Sequence, residues 1–190
     1  GLNHPATTVG QLRLLAQAGI RWVRNWSVNW DWVEPGPGTF TTTWEAQDKQ
    51  FAHMASADMK PLVVFPNPSS SWASTAPATV SHALWYRLAY APSDPALLYR
   101  FLGNAVERYR SACTHWEFLN EPLWVPDFCL PKKGGYTVAD YVRLLEGAYR
   151  AIKAADPEST VIGGIANEPD ATLAEEFISA GGLEHCDILN

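Results

Sequence analysis

The feature that most restricts how this chain can fold is an alternation, sustained from end to end, of short apolar runs with longer segments of helical apolar spacing. A strand, a helix and a second strand in the same direction form a right-handed βαβ unit, and a succession of such units builds a parallel sheet with helices packed on it. The strand-like runs are "IRWVRNW" (20–26), "PLVVF" (61–65), "HWEFLNE" (115–121), "TVIGGI" (160–165) and "CDILN" (186–190). "GLNH" at the start reads as the end of a further strand.

The helices between them carry start and stop signals. Thr7 or Thr8 caps the first, whose Val9, Leu12, Leu15 and Ala16 keep helical spacing, and Gly19 ends it. A capping-box pattern, Thr42 to Glu45, opens the second near residues 43–57. Asp94-Pro95 starts a third, with Leu98, Phe101, Leu102, Ala105, Val106 and Tyr109 on one face. Thr137 caps a fourth, which presents Tyr141, Leu144, Leu145, Ala148, Tyr149 and Ile152 and stops at Asp156-Pro157. Asp170 caps the last, which runs through Phe177 and Ile178 to Gly181-Gly182. Residues 66–94 form a long connection with Trp72, Trp85, Tyr86 and Tyr90, and connections of that length in a compact domain are usually functional.

Two architectures accommodate this order: an open doubly wound sheet or a (β/α)8 TIM barrel. No glycine-rich phosphate loop follows the first full strand, which counts against the former. A barrel typically takes about 250 residues. Only five full strands can be counted against the eight of a closed barrel, so the residues by themselves leave both architectures open.

Composition narrows the partners. The net charge is -6 and the basic residues are scattered, so no nucleic-acid groove is expected. No apolar run reaches the length of a membrane span, and "GLNHPATTVG" lacks the pattern of a signal peptide. Cys113, Cys129 and Cys186 match neither a zinc site nor a complete disulfide framework, although one bridge among them is compatible with the sequence. Nine tryptophans stand out, because aromatic faces stack on the apolar faces of sugar rings as well as filling cores.

In either architecture ligands bind at the C-terminal ends of the strands. Asn25 and Trp26, Pro66 and Asn67, Asn120 and Glu121, Ala166 and Asn167, and Asn190 stand there. Asparagines and one carboxylate ringed by tryptophan suit a neutral polyhydroxylated ligand such as a sugar. Glu121 ends an apolar strand, where desolvation would raise its pKa toward that of a general acid; a carboxylate capping nearby backbone amides is the competing reading. Arg24 lies within another apolar strand and needs a carboxylate partner. Glu117 shares the strand parity of Glu121 one layer deeper and is a candidate for that pairing.

Those residues also carry a resemblance. "WEFLNEP" resembles the fourth-strand signature of the clan A glycoside hydrolases, the retaining (β/α)8 barrels, and "GIRWVRNW" resembles their second strand with its active-site arginine. "YVRLLEGAYRAIKAADPESTVIGGI" is similar to the corresponding stretch of family 39 enzymes, which include β-xylosidases and α-L-iduronidases, and of family 5-like relatives. The resemblance implies that Glu121 is the general acid/base and that Asn120 hydrogen-bonds the sugar 2-hydroxyl. It also implies that Arg24 holds the nucleophile ionised and oriented, in a double displacement with the two carboxylates about 5–5.5 Å apart. An oligo- or polysaccharide substrate, no metal, no organic cofactor and a secreted or periplasmic location follow from the same resemblance.

The resemblance implies an α/β fold, a partial (β/α)8 TIM barrel in one catalytic-type domain over residues 1–190, holding strands two to six and possibly the end of strand one. In that family the nucleophile stands on strand seven, whereas "CDILN" is strand six in this register. The nucleophile is thus expected on a strand beyond Asn190, and the 190-residue chain alone is expected to be inactive. Glu168 in the second Asn-Glu-Pro, "IANEPD", leads straight into a helix cap and is a weak substitute, as are the loop residues Glu34, Asp127 and Glu184. Trp22 and Trp116 read as core, and Trp44 as packing on the sheet. Of the loop residues Trp26, Trp30, Trp32, Trp72 and Trp124, two or three are expected to stack on sugar, Trp124 first; His4 is a remote candidate. Open sheet edges would favour self-association. The alternatives to a retaining glycosidase are a non-catalytic carbohydrate-binding protein and an unrelated doubly wound enzyme.

Overall fold

A computed structural model describes residues 1–3, 8–39, 43–80, 83–123, 129–165 and 171–190. Among them run six strands, β1 (Leu2–Asn3), β2 (Trp22–Asn25), β3 (Lys60–Phe65), β4 (His115–Phe118), β5 (Thr160–Gly163) and β6 (Ile188–Leu189). The helices are α1 (Val9–Gln17), α2 (Trp30–Val33), α3 (Thr43–Ser56), α4 (Leu84–Leu88), α5 (Pro95–Tyr109), α6 (Val138–Ala155) and α7 (Ala171–Ser179). Every pair of neighbouring strands is parallel and the order is β1-β2-β3-β4-β5-β6. A doubly wound sheet reverses its order at a switch point. None occurs here, so the topology is that of consecutive βα units of a (β/α)8 barrel. "GLNH" does supply a strand, with Leu2 opposite Val23 and Asn3 opposite Arg24.

The helix signals act locally as read. Thr8 closes a capping box with Gln11, and Thr137 one with Asp140. The Asp94 side chain accepts from the Ala96 amide ahead of a proline-initiated α5. Thr42 and Asp170 lie outside the described residues. Helices α5 and α6 turn Leu98, Phe101, Leu102 and Val106, and Tyr141, Leu145, Ala148 and Ile152, into one buried layer. It meets Val23, Val63, Phe65, Trp116, Phe118 and Val161 from the outer sheet face.

The inner face is different in kind. Trp22, Arg24, Leu62, His115, Glu117, Ile162, Ile188 and Asn190 line a concavity of about 440 Å³ there. Trp22 is accordingly half-buried on this face, set edge-on to His115 at 4.8 Å between ring centres, rather than in the core. Trp116 is fully buried as expected, and Trp44 packs on Tyr109 of α5 at 5.5 Å instead of on the sheet. The three cysteines are free thiols, with Cys113 and Cys129 buried.

At the end of β5 the chain passes closest to its neighbour. A Cβ on Gly163 would lie 2.9 Å from Leu145 of α6, and one on Gly164, at φ +149°, only 2.2 Å from the Asn190 carbonyl oxygen. The two glycines of "TVIGGI" thus let α6 and β6 approach β5.

Candidate active site

Strand alternation turns Arg24 of β2 and Glu117 of β4 to the inner face, one strand apart. They meet across β3 in a bidentate pair, Arg24 Nε to Glu117 Oε2 at 2.6 Å and Nη2 to Oε1 at 2.5 Å. Val64, the register partner of Glu117 on the strand they span, is fully buried. The pair expected from parity is present, and it is well enclosed: the side chains of Arg24 and Glu117 are 22% and 5% exposed.

Around this pair the cluster is polar and well satisfied. Arg24 Nη2 also donates to Asn120 Oδ1 at 2.9 Å, and Nη1 to Asn3 Oδ1 at 3.2 Å. Asn190 Nδ2 donates to Glu117 Oε1 at 3.0 Å. Because guanidinium only donates, it fixes the Asn120 amide with its oxygen toward Arg24 and its NH2 turned away, available to an acceptor. Both oxygens of Glu117 are committed to protein partners.

Glu121 does not follow Glu117 by simple alternation. Strand β4 ends at Phe118, and Leu119, Glu121 and Leu123 take left-handed φ values of 66°, 49° and 65°. Leu119 turns into the buried core, which brings Asn120 to Arg24. Backbone ties hold this twisted segment: the Leu119 amide donates to the Phe65 carbonyl at 3.0 Å and the Leu123 amide to the Cys129 carbonyl at 2.8 Å. Glu121 is half-buried and makes no hydrogen bond or ion pair among the described residues. Non-glycine residues in this region cost about 1–2 kcal/mol each and cluster at functional sites.

A second concavity, of about 480 Å³, lies beside the cluster at the C-terminal ends of β2 and β3. Trp26 and Asn29 come from the turn after β2, Trp32 from α2, Pro66 and Asn67 from the turn after β3, and Leu84, Trp85 and Leu88 from α4. Trp26 belongs to both regions: the Arg24 guanidinium lies 4.7 Å from its ring centre, and its indole donates to Asn3 Oδ1 at 3.0 Å.

The turns that carry these residues are locked from beneath. Glu34, fully buried, accepts from Trp30 Nε1 at 2.8 Å, the Gly38 amide at 2.8 Å and Arg100 of α5 at 2.5 Å. Asp31 accepts from Ser70 Oγ at 2.9 Å and the Ser71 amide at 2.6 Å, joining the turn after β2 to that after β3. Trp30 stacks on Phe101, and Trp72 Nε1 donates to the Glu34 carbonyl at 2.7 Å.

Of the loop tryptophans, then, Trp30 is core, Trp72 braces the turn, and Trp26 and Trp32 face the cleft. Asn25 is buried in a turn with Ser27, and only Asn67 of that pair of strand-end asparagines reaches the cleft. Trp85, Asn29 and Asn3 were not legible as site residues; for Trp85 the signal was its place in the long aromatic connection. His4, Trp124, Asp127, Asn167 and Glu168 lie outside the described residues. Among the described residues no cluster of side chains suited to a metal ion is found, and no helix is long and apolar enough to cross a membrane.

No protein-family model matches the sequence, and no curated protein matches it. Solved structures do. A family 39 glycoside hydrolase from Bacteroides cellulosilyticus WH2 superposes with a TM-score of 0.70 at 21% identity, over 99% of this chain and 37% of its own. A glucosidase from Croceicoccus marinus gives 0.66 at 18% identity, over 100% and 41%. Endo-glycoceramidase II from a Rhodococcus species gives 0.61 at 15%, over 86% and 47%. The chain thus spans under half the length of these glycoside hydrolases, and the likeness is one of fold.

Proposed function

We propose that this chain carries the acid/base half of a retaining glycoside hydrolase of clan A, of family 39 type. One observation carries the reading: an arginine fixed by a buried glutamate on the inner face, orienting Asn120 directly before a half-buried Glu121 that has no partner among the described residues. The fold likeness to a family 39 enzyme and to other glycosidases supports it.

In this mechanism Glu121 protonates the leaving glycosidic oxygen while a second carboxylate attacks the anomeric carbon. Glu121 then takes a proton from the water that hydrolyses the glycosyl-enzyme. Asn120 offers its NH2 to a sugar hydroxyl. Arg24 has five N–H groups, and its bonds to Glu117, Asn3 and Asn120 leave one on Nη1. That donor is suited to a second carboxylate, the nucleophile that this mechanism requires.

A second reading, a carbohydrate-binding protein without hydrolysis, is favoured by the commitment of Asp31, Glu34 and Glu117 to protein hydrogen bonds, which leaves none of them free to attack. The discriminating experiment is a screen of aryl glycosides with the natural full-length protein and its Glu121→Gln variant. Loss of a proton donor should lower kcat/KM by about 10²–10⁴-fold. Activity retained in the variant would end the acid/base assignment, and saccharide binding without turnover by the parent would establish the second reading.

A further inference from the structure

Helix α6, the element that links β4 to β5, carries a fully buried tyrosine whose polar end its apolar face does not explain. Tyr141 packs its ring on Phe118 of β4, with ring centres 6.2 Å apart, and on Phe177 of α7 at 5.9 Å. A phenylalanine would fill the same space. The hydroxyl, however, meets two main-chain atoms: it accepts from the Gly164 amide at 3.0 Å and donates to the Phe118 carbonyl at 3.4 Å. Burial raises the phenol pKa above its ordinary value, so the proton that the second bond needs stays in place.

Those two atoms are the pair that the ladder between β4 and β5 would join next. The Thr160 amide donates to the Thr114 carbonyl at 2.7 Å, and His115, Trp116 and Glu117 pair with Thr160, Val161 and Ile162. A parallel ladder repeats such a bond at every second residue, which leads from Thr160 to Gly164 and from Thr114 to Phe118. The tyrosine oxygen takes that last bond from both atoms, in place of a direct contact at about 2.9 Å. On its other side β4 stays paired as far as Phe118, opposite Phe65, and the Leu119 amide still donates to the Phe65 carbonyl. Strand β4 is thus released from β5 alone, one residue before the left-handed turn at Leu119 that presents Asn120 and Glu121. We propose that Tyr141 is a positioning residue: its inserted hydroxyl parts the ends of β4 and β5 and so sets where Asn120 and Glu121 stand. Its bearing on catalysis rests on the glycosidase reading, whereas the placing of the strand end does not.

The test is Tyr141→Phe in the full-length protein, which removes one oxygen and keeps the ring. Its crystal structure is expected to show the Gly164 amide bonded directly to the Phe118 carbonyl, with the Glu121 carboxylate displaced by about 1 Å, a misplacement that costs about 10²-fold in rate. Because Glu121 serves a leaving group only as far as that group needs a proton, the loss must depend on the leaving group. Phenyl β-glucoside, β-xyloside and β-mannoside should therefore lose about 10²-fold in kcat/KM, and the 2,4-dinitrophenyl glycosides of the same sugars less than about 3-fold. Tyr109→Phe deletes the hydroxyl that bonds Asp48 on the seam of α3 and α5; it is the control for a general loss of stability and should change neither. Two results would overturn the proposal: Glu121 unmoved in the variant structure, or the same effect on both leaving groups. If the parent turns over none of these glycosides, the glycosidase reading fails alone, and the shift of Glu121 decides the proposal. Should Tyr141→Phe not fold, a crystal structure of the parent decides it: the tyrosine oxygen between the two main-chain atoms sustains the proposal, and a direct bond between them overturns it.

Discussion

A left-handed backbone at Glu121 places the proposed acid where the chain would rather have asparagine or glycine. Substituting Asn at 121 should raise stability by about 0.5–1 kcal/mol, read as a shift of the urea midpoint, while abolishing any turnover. An unchanged or lower midpoint would show that position 121 is held without strain. Arg24 presents the opposite balance. Replacing it by Met leaves the Glu117 carboxylate enclosed and uncompensated, at a cost of about 3 kcal/mol in denaturant titration; Arg24→Met with Glu117→Leu should recover most of that. If the single and double variants are equally unstable, the pair does not couple. Both positions show what strand parity can and cannot reveal. Arg24 and Glu117 meet because alternation is strict within β2 and β4, whereas the left-handed Leu119 cancels it before Glu121, and no residue type in "FLNEP" announces that turn.

Among the elements, α3 and α5 are joined at their exposed seam by Asp48, which accepts from Arg108 at 3.0 and 2.5 Å and from Tyr109 at 2.9 Å. The Arg108 hydrogen bond, against the opposing effect of partial burial, holds the Asp48 pKa below its ordinary value. Its folded pKa is therefore lower than the unfolded one, and the stabilisation is present above the unfolded value of about 3.9 and is lost as pH falls through the folded pKa. Asp48→Asn should accordingly lower the urea midpoint at neutral pH and flatten its decline on acidification below about pH 4; an identical acid limb in the two proteins would remove Asp48 from the account. The long helices were legible because their apolar faces repeat over many turns and their caps are chemically distinct. Helix α2 was not: one turn just ahead of a Pro- and Gly-rich segment has no period, so nothing distinguished inward Trp30 from outward Trp32. Likewise α4, with Trp85, sits inside a stretch that reads as connection.

For the molecule as a whole, the six-stranded sheet has free edges at β1 and β6 among the described residues, and Ile188 and Leu189 are half exposed on the latter. Edges of this sort pair with other chains. The 190-residue chain should therefore associate in a concentration-dependent way in sedimentation velocity, and Leu189→Lys should return it toward the monomer; a monomeric parent at all concentrations would show the edge to be protected. A parallel sheet covered by helices follows from alternation, while the consecutive strand order that distinguishes a barrel from a doubly wound sheet needed the sheet itself. One consequence concerns the twisted run from Leu119 to Leu123. Its shape is enforced by main-chain bonds to Phe65 and Cys129 and by two buried leucines, Leu119 and Leu123, none of which involves the Glu121 carboxylate. A glutamine there would be displayed in the same place, with the same neighbours and nearly the same volume. Between a catalyst and a sugar-holding descendant of it lies a single oxygen-to-nitrogen exchange, which folding would never notice and which selection on stability could never remove.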